Sequence, residues 1–398
     1  MTRRARPAAD IPIIGGGIIG SAIAWWLKGH FRYPGTVTVI EPDPTYADGA
    51  TSRSLGSIRQ QFSTPENILM SRFGLNFVAR LADWIDLPAD AMPDARLTHG
   101  HYLMLATEAG SDALQANVAV QQATDAPVAL LNPDEVRRRF PWINTADIGC
   151  AAFGLRDEGW VDPYALLQTF RRAARAADAC YLQDRVIAID RSGDTVTGLA
   201  LGSGDHLPVG AVVNAAGPWA GAVAAMADID LPVVPRKRTV FHVTTPTPPA
   251  DPVLIVDPSG VYVRPEGNGF LTGSSPLPGQ PDPDGGNLDP DYDQFEGVCW
   301  PALAHRSVAF EALRMTGAWG GFYDYNTFDQ NAVLGPHRQV GNFWFANGFS
   351  GHGVQQAPAV GRALAEWLLQ GRSVSLSLDL FRHDRIAAGK PVVERGII

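Results

Sequence analysis

Three glycines, Gly15, Gly17 and Gly20, stand in the run Gly15-Gly16-Gly17-Ile18-Ile19-Gly20, which has the G-x-G-x-x-G form. An apolar strand, Ile11 to Ile14, precedes it, and Ser21 to Gly29 reads as a helix. In that setting Gly15 permits a tight turn and Gly17 lets backbone amides approach a pyrophosphate. Gly20 allows close packing of helix on strand, and the helix N-terminus supplies positive potential. Ile18 and Ile19 complete the candidate loop. Glu41 lies 21 residues after Gly20, just past a second buried strand, Thr36 to Ile40. A carboxylate there accepts hydrogen bonds from an adenosine ribose. The chemistry is dinucleotide binding, and the motif alone does not separate FAD from NAD.

A second glycine loop, Gly348-Phe349-Ser350-Gly351-His352-Gly353, comes near the end of the chain. It is not a serine-hydrolase elbow, because His352 occupies the position of the last glycine in G-x-S-x-G. Asp282 and Asp284 have the spacing of a calcium loop, but the required glycine is out of place, so a solvated loop is expected. The three cysteines, Cys150, Cys180 and Cys299, have no metal-ligand spacing and no even pairing, so neither a metal site nor a disulfide scaffold is expected.

The elements that must position these groups follow from periodicity. Thr64 caps a helix with Pro65 in its first turn, and Leu69, Phe73, Phe77, Leu81 and Trp84 repeat along one face. Val186 to Ile189 and Thr195 to Leu201 flank a turn and read as a meander, and Ala211 to Val213 is a further buried strand. Residues 232–273 are β-rich. Phe343 to Ala346 is a strand leading into the second glycine loop, and Pro358 to Gln370 an amphipathic helix closed by Gly371. The chain thus begins and ends with strand, glycine loop and helix. The 398 residues suit two or three domains, and 45% hydrophobic against 18% charged residues excludes intrinsic disorder. A formal charge of -9 argues against nucleic acid as a partner. Only Lys28, Lys237 and Lys390 are lysines, so a site needing one has few candidates. Ile11 to Leu27 is uncharged and follows Arg3, Arg4 and Arg6, but cleavage as a signal peptide would remove the glycine loop. Leu207 to Ala227 is interrupted by Asn214, Gly217 and Pro218, so no transmembrane segment is expected. The first nine residues read as a frayed tail.

The runs Thr51 to Phe62, Asn214-Ala215-Ala216-Gly217-Pro218-Trp219 and Gly348 to Gly353 resemble, in order, the D-amino-acid oxidase superfamily of FAD enzymes. That superfamily includes glycine oxidase, sarcosine oxidase and D-arginine dehydrogenase. Ile58 to Ser63, Tyr323 to Gln330 and Gly348 to Pro358 are most similar to the FAD-dependent oxidoreductase-domain proteins, one of which, mitochondrial, is associated with assembly of respiratory complex I. The resemblance implies a mixed α/β fold: a Rossmann-like FAD-binding domain (1–90, 145–215 and 330–398) and a β-rich substrate-binding domain (91–144 and 216–329). It implies FAD as cofactor. Gly15, Gly17, Gly20 and Glu41 would hold the ADP half, and Val186 would meet the adenine through its backbone. Ser52, Arg53 and Ser54 would lie along the pyrophosphate and flavin. Ala215, Ala216 and Gly217, with Trp219 beside them, would pass the pyrophosphate. Gly348, Gly351, His352, Gly353, Val354 and Gln355 would sit at the flavin pyrimidine edge.

The same resemblance implies hydride transfer from the carbon bearing an amine, and a cation for the substrate carboxylate. Arg59 stands where sarcosine oxidase places such an arginine. Arg236, Lys237 and Arg238 resemble a basic run that supplies a carboxylate ligand in D-arginine dehydrogenase. Tyr262 and Arg264 lie on a strand that gives a lid tyrosine in relatives, and alternation puts both on one face. Three departures stand out: Tyr323 replaces a clamping arginine, Gln355 a lysine beside the glycine loop, and a residue near Leu271 the lysine that assists oxygen activation. Gly321 stands near a cysteine that tethers FAD in sarcosine oxidase, and no histidine lies between His30 and His99, so non-covalent FAD is expected. The expected partners are an amine or amino-acid substrate and an electron acceptor, whether oxygen, a quinone or an electron-transfer protein. The expected location is cytoplasmic, with peripheral membrane association as a variant. The other reading is an FAD-containing assembly or scaffold protein with vestigial catalysis.

Overall fold

The computed structural model describes residues 10–276 and 282–395. The tail expected over the first nine residues lies outside them, as does part of the 276–293 loop. Strand β1 (Ile11–Ile14), helix α1 (Ile18–Trp25) and strand β2 (Val37–Ile40) form the βαβ unit. Every residue of α1 is buried, and the chain continues from it into a wider helical turn over Trp26–His30. A six-stranded sheet carries this unit, in the order Val333–Pro336, Phe343–Asn347, Val212–Asn214, β1, β2, Cys180–Leu182. All its pairings are parallel except that of the Val333–Pro336 edge. Buried on both faces, the inner strands of this sheet read as continuous apolar runs rather than alternating ones.

An eight-stranded sheet stands beside it, built on the long antiparallel partners Val233–Thr244 and Arg314–Asn326. Its other strands include Gly269–Ser274, Val261–Glu266, Leu254–Val256 and Tyr102–Ala106. The strand Cys150–Gly154 pairs with Tyr102–Ala106 in this sheet, although it falls in the stretch expected to belong with the FAD-binding part. Its neighbours on either side in the sequence gave no boundary signal; pairing across the chain places it there. The meander Val186–Ser192, Thr195–Leu201 and His206–Pro208 is a separate small sheet.

Two helix expectations change. Helix α2 (Pro65–Ala79) stops at Arg80, and Leu81–Trp84 is a separate short turn. Phe73, Phe77 and Trp84 do gather around Trp26, but Leu69 is 40% exposed and Ile68, Met70, Leu75 and Val78 face inward instead. The packing of α2 against the closing helix rotates its buried face: a Cβ on Gly74 would overlap the Gln355 carbonyl, so the two backbones touch. That closing helix starts at Gly353 rather than Pro358 and runs to Gln370, with Pro358 inside it. A proline more often opens a helix than sits within one, but here flanking helices hold the turn. Gly361 sits against Trp26 and Ala22, which lets the closing helix lie directly on α1. Among the described residues, no helix is long and apolar enough to cross a membrane.

Candidate active site

A cavity of about 670 Å³ takes its wall from both sheets. One part is made where β1 and β2 end, by Ile14, Gly15, Gly17, Glu41 and Val186. The three motif glycines have separate environments. At Gly15, φ is +102° and a Cβ would overlap the Ala215 carbonyl. At Gly20 a Cβ would overlap the Gly15 carbonyl, so Gly20 packs helix on strand and does not face the cavity. Gly17 lies in the wall, and a Cβ there would meet only Thr51 Oγ1, at 3.5 Å. Ile18 and Ile19 also line the wall at the N-terminus of α1, where the Ile18 amide donates to Thr51 Oγ1 at 3.2 Å. Glu41 accepts from the Gly16 amide at 2.8 Å and the Asp43 amide at 3.0 Å. Burial raises its pKa, and those two amides oppose the rise.

The middle of the wall holds Arg53, Ser54, Ala215, Ala216, Gly217 and Trp219. Arg53 bridges to the other sheet by donating to the Gly320 carbonyl at 3.1 Å while paired with Asp48 at 2.6 Å. Ser52 is behind the wall, its hydroxyl buried without a hydrogen-bond partner. Trp219 is 52% exposed and packs edge-on against Phe322.

The remaining part gathers Arg59, Tyr102, Tyr262, Tyr323 and the 349–355 segment. Arg59 is 3% exposed. Its guanidinium lies 4.6 Å from the centre of the Phe62 ring and donates from Nη2 to His352 Nε2 at 3.1 Å. Its Nη1 is buried without a partner, and no carboxylate among the described residues is within ion-pair distance. An arginine can only donate, so His352 accepts and its ring is neutral. Burial first, and then the Arg59 charge, push the His352 pKa down to about 3. Gln355 Oε1 accepts from the Arg59 amide at 2.9 Å, which fixes the backbone that carries the guanidinium. Gly351, at φ +100°, leaves room for the Tyr323 ring, 2.7 Å from where a Cβ would stand. Gly348, at φ +74°, shapes the turn from behind and does not line the cavity. Burial raises the pKa of Tyr102 to about 12 and that of Tyr262 well above 10, so their hydroxyls stay protonated.

Other expected substrate groups are placed elsewhere. Lys237 points outward to Asn287 and the Asp289 carbonyl. Arg238 lines the cavity but is paired with Asp282 at 2.6 Å, and Arg236 approaches the same carboxylate at 3.5 Å. Asp282 is therefore a counter-ion for the basic run, not part of a solvated loop. Arg264 shares a face with Tyr262 in the strand pattern, yet it pairs with Glu266, lies over Trp160, and is not in the wall. The Tyr262 hydroxyl reaches the wall because Gly273 stands opposite: a Cβ there would collide with it. Two further groups, Tyr102 and Glu158, lacked any sequence signal, and a third, Asp324, stood out only within the run Tyr323 to Gln330. Tyr102 reads as one more apolar strand residue. Asp324, in the wall, accepts from the Phe349 amide at 2.9 Å, and burial raises its pKa to about 6. Glu158, behind Arg59, accepts from the Gln60 and Tyr102 amides at 3.0 and 3.1 Å, and burial raises its pKa to about 7.

A cavity of this size, ending on a helix N-terminus with an open glycine and a strand-end carboxylate, suits a dinucleotide. The profile of the DAO family, described as FAD dependent oxidoreductase, matches residues 10–367. The chain belongs to that family. FAD is its cofactor. The FAD-dependent oxidoreductase domain-containing protein 1 of Bos taurus is 40% identical, over 98% of this chain and 87% of its own length. A glycine oxidase of Geobacillus kaustophilus is 26% identical over 94% of this chain and 97% of its own. The L-proline dehydrogenase of P. horikoshii has the same fold, with a TM-score of 0.82 at 24% identity, covering 96% of this chain and 99% of that one.

Proposed function

We propose that this DAO-family protein oxidises the C–N bond of an amino acid or N-substituted amino acid, giving an imine that water hydrolyses. The observation that carries this reading is Arg59: a buried guanidinium with an unpartnered Nη1 in the cavity wall. Such a cation is costly to bury alone and suits a substrate carboxylate, which would complete its hydrogen bonds. Relatives named for glycine oxidation and for proline dehydrogenation agree with a carboxylate-bearing amine.

The residues assigned to FAD are Gly15, Gly17 and Glu41 for the ADP half, with Gly20 packing the loop. Val186, Arg53, Ser54 and Ala215 to Gly217 follow along the cofactor, and Gly351 to Gln355 meet its flavin edge. When bound, FAD supplies the acceptor for the hydride. With no cysteine among the described residues of the wall, and His352 Nε2 engaged by Arg59, non-covalent attachment fits. Arg59 orients the carboxylate, and Gln355 holds the Arg59 backbone. Tyr102, Tyr262 and Tyr323 enclose the bound amine and exclude water, and positioning of this kind carries a large share of such catalysis. The amine must be neutral to release hydride, and the nearby guanidinium favours its deprotonated form.

The test is an anaerobic panel of amino acids and N-alkyl amino acids, scored by bleaching of the flavin. Bleaching by one chemical class supports the reading. No bleaching by any member, in protein fully loaded with FAD, favours the assembly or scaffold role.

A further inference from the structure

The segment 390–395 runs back across the molecule to the stretch that carries Arg59. Val392 and Glu394 are buried while Pro391, Val393 and Arg395 are exposed, the alternation of an extended strap. Val392 is tied at both backbone groups: its amide donates to Asp329 Oδ2 at 2.9 Å, and its carbonyl accepts from Asn331 Nδ2 at 2.9 Å. Glu394 then reaches the turn before α2. One carboxylate oxygen accepts from the Ser63 amide and from the Ser63 hydroxyl, the latter at 2.7 Å. The other accepts from Asn67 Nδ2 at 2.9 Å. The Arg395 amide donates to the Ser63 hydroxyl at 2.7 Å, so both of these residues grip Ser63.

Ser63 follows Phe62, and the Phe62 ring is the surface against which both Arg59 and His352 rest. Glu394 also adds negative potential at Arg59, as the fully buried Glu158 does. A buried carboxylate with three donors is a strong anchor, and neutral packing would have closed the same gap at less desolvation cost.

We infer that the 390–395 strap, acting through Glu394 and Ser63, is a positioning element for Arg59, setting how tightly the cavity holds a carboxylate. The inference rests on Arg59 as carboxylate anchor, and the experiment separates the two.

Benzoate and its uncharged amide, benzamide, are titrated into the FAD-loaded protein, with the flavin absorbance change as readout. Wild type should prefer benzoate, and Arg59→Ala should abolish the preference. Glu394→Ala should weaken benzoate at least tenfold, leave benzamide within twofold, and add nothing in an Arg59→Ala background. Glu394→Gln should recover most of the loss, because it still accepts from Ser63. Ser63→Ala is the milder second variant, should Glu394→Ala not fold, and should weaken benzoate in the same sense. If Glu394→Ala and Ser63→Ala keep full preference while Arg59→Ala loses it, the strap role is overturned and the anchor stands. Equal weakening of both probes would mean general loosening, which also overturns the strap role. A wild type without preference, or an Arg59→Ala that retains it, would overturn the anchor reading and the inference with it.

Discussion

Arg59 Nη2 donates to His352 Nε2 at 3.1 Å, so a permanent cation is set against an imidazole that must stay neutral. Burial and that cation hold the His352 pKa at about 3, below its unfolded value near 6.5. The unfolded chain therefore binds the proton first as pH falls. The stability His352 contributes is complete above pH 6.5 and is lost progressively toward pH 3. Relative to His352→Gln, wild type should lose about 2 kcal/mol between pH 6.5 and 5. Denaturant melts of both proteins across that range measure it.

Glu158 has the opposite sign. Burial lifts its carboxyl to about 7, against 4.5 unfolded, so the native state holds the proton more tightly. Its contribution is complete below pH 4.5 and is lost as pH rises through 7. Compared with Glu158→Gln, wild type should therefore lose about 3 kcal/mol between pH 4.5 and 8. A wild-type-minus-variant difference that stays flat over this range would refute it.

Arg59→Ala should raise the apparent KM steeply with FAD content unchanged, a loss of about 2–5 kcal/mol in binding the carboxylate. Arg59→Lys should rescue only partly, because a point charge lacks the guanidinium fork. Tyr262→Phe should do less, and Lys237→Ala almost nothing, since Lys237 points to Asn287. Steady-state kinetics on the best substrate from the anaerobic panel decide the order.

Gly17 and Gly20 should fail in different ways. Gly17→Val adds bulk where the wall is open, so the protein should fold and purify colourless. Gly20→Val collides with the Gly15 backbone and should depress Tm or prevent folding. Absorbance near the flavin band per mole of folded protein separates them. Acid precipitation of wild type should release intact FAD, and flavin retained by the pellet would contradict non-covalent binding.

No lysine lines the cavity among the described residues, and Leu271 is buried within its sheet. A free ammonium beside the flavin helps oxygen take the first electron by stabilising superoxide. The wall arginines Arg53, Arg238 and Arg59 are committed instead, to Asp48, to Asp282 and to the substrate carboxylate in turn. Reduced enzyme should therefore reoxidise slowly in air and faster with a dye or quinone. Peroxide release at the rate of dye reduction would count against this.

The glycine loop, both flanking strands and Glu41 were legible because their work is local. A tight turn, a helix start and a strand end each depend on residues a few positions apart. Arg59 and the 348–355 loop were legible only through family resemblance, since a single arginine carries no periodic signal. Tertiary structure decided the rest. The basic run 236–238 could be read as a site until Asp282, more than 40 residues away, took up Arg238. Arg264 shares its strand face with Tyr262, but Glu266 and Trp160 claim it. Helix α2 turned its buried face because a backbone contact between Gly74 and Gln355 outweighs the apolar stripe. Glu158 and Glu394 had no pattern to announce them, and Asp324 stood out only within the run Tyr323 to Gln330. A carboxylate acquires its role from what buries it and what donates to it, and these partners come from distant parts of the chain.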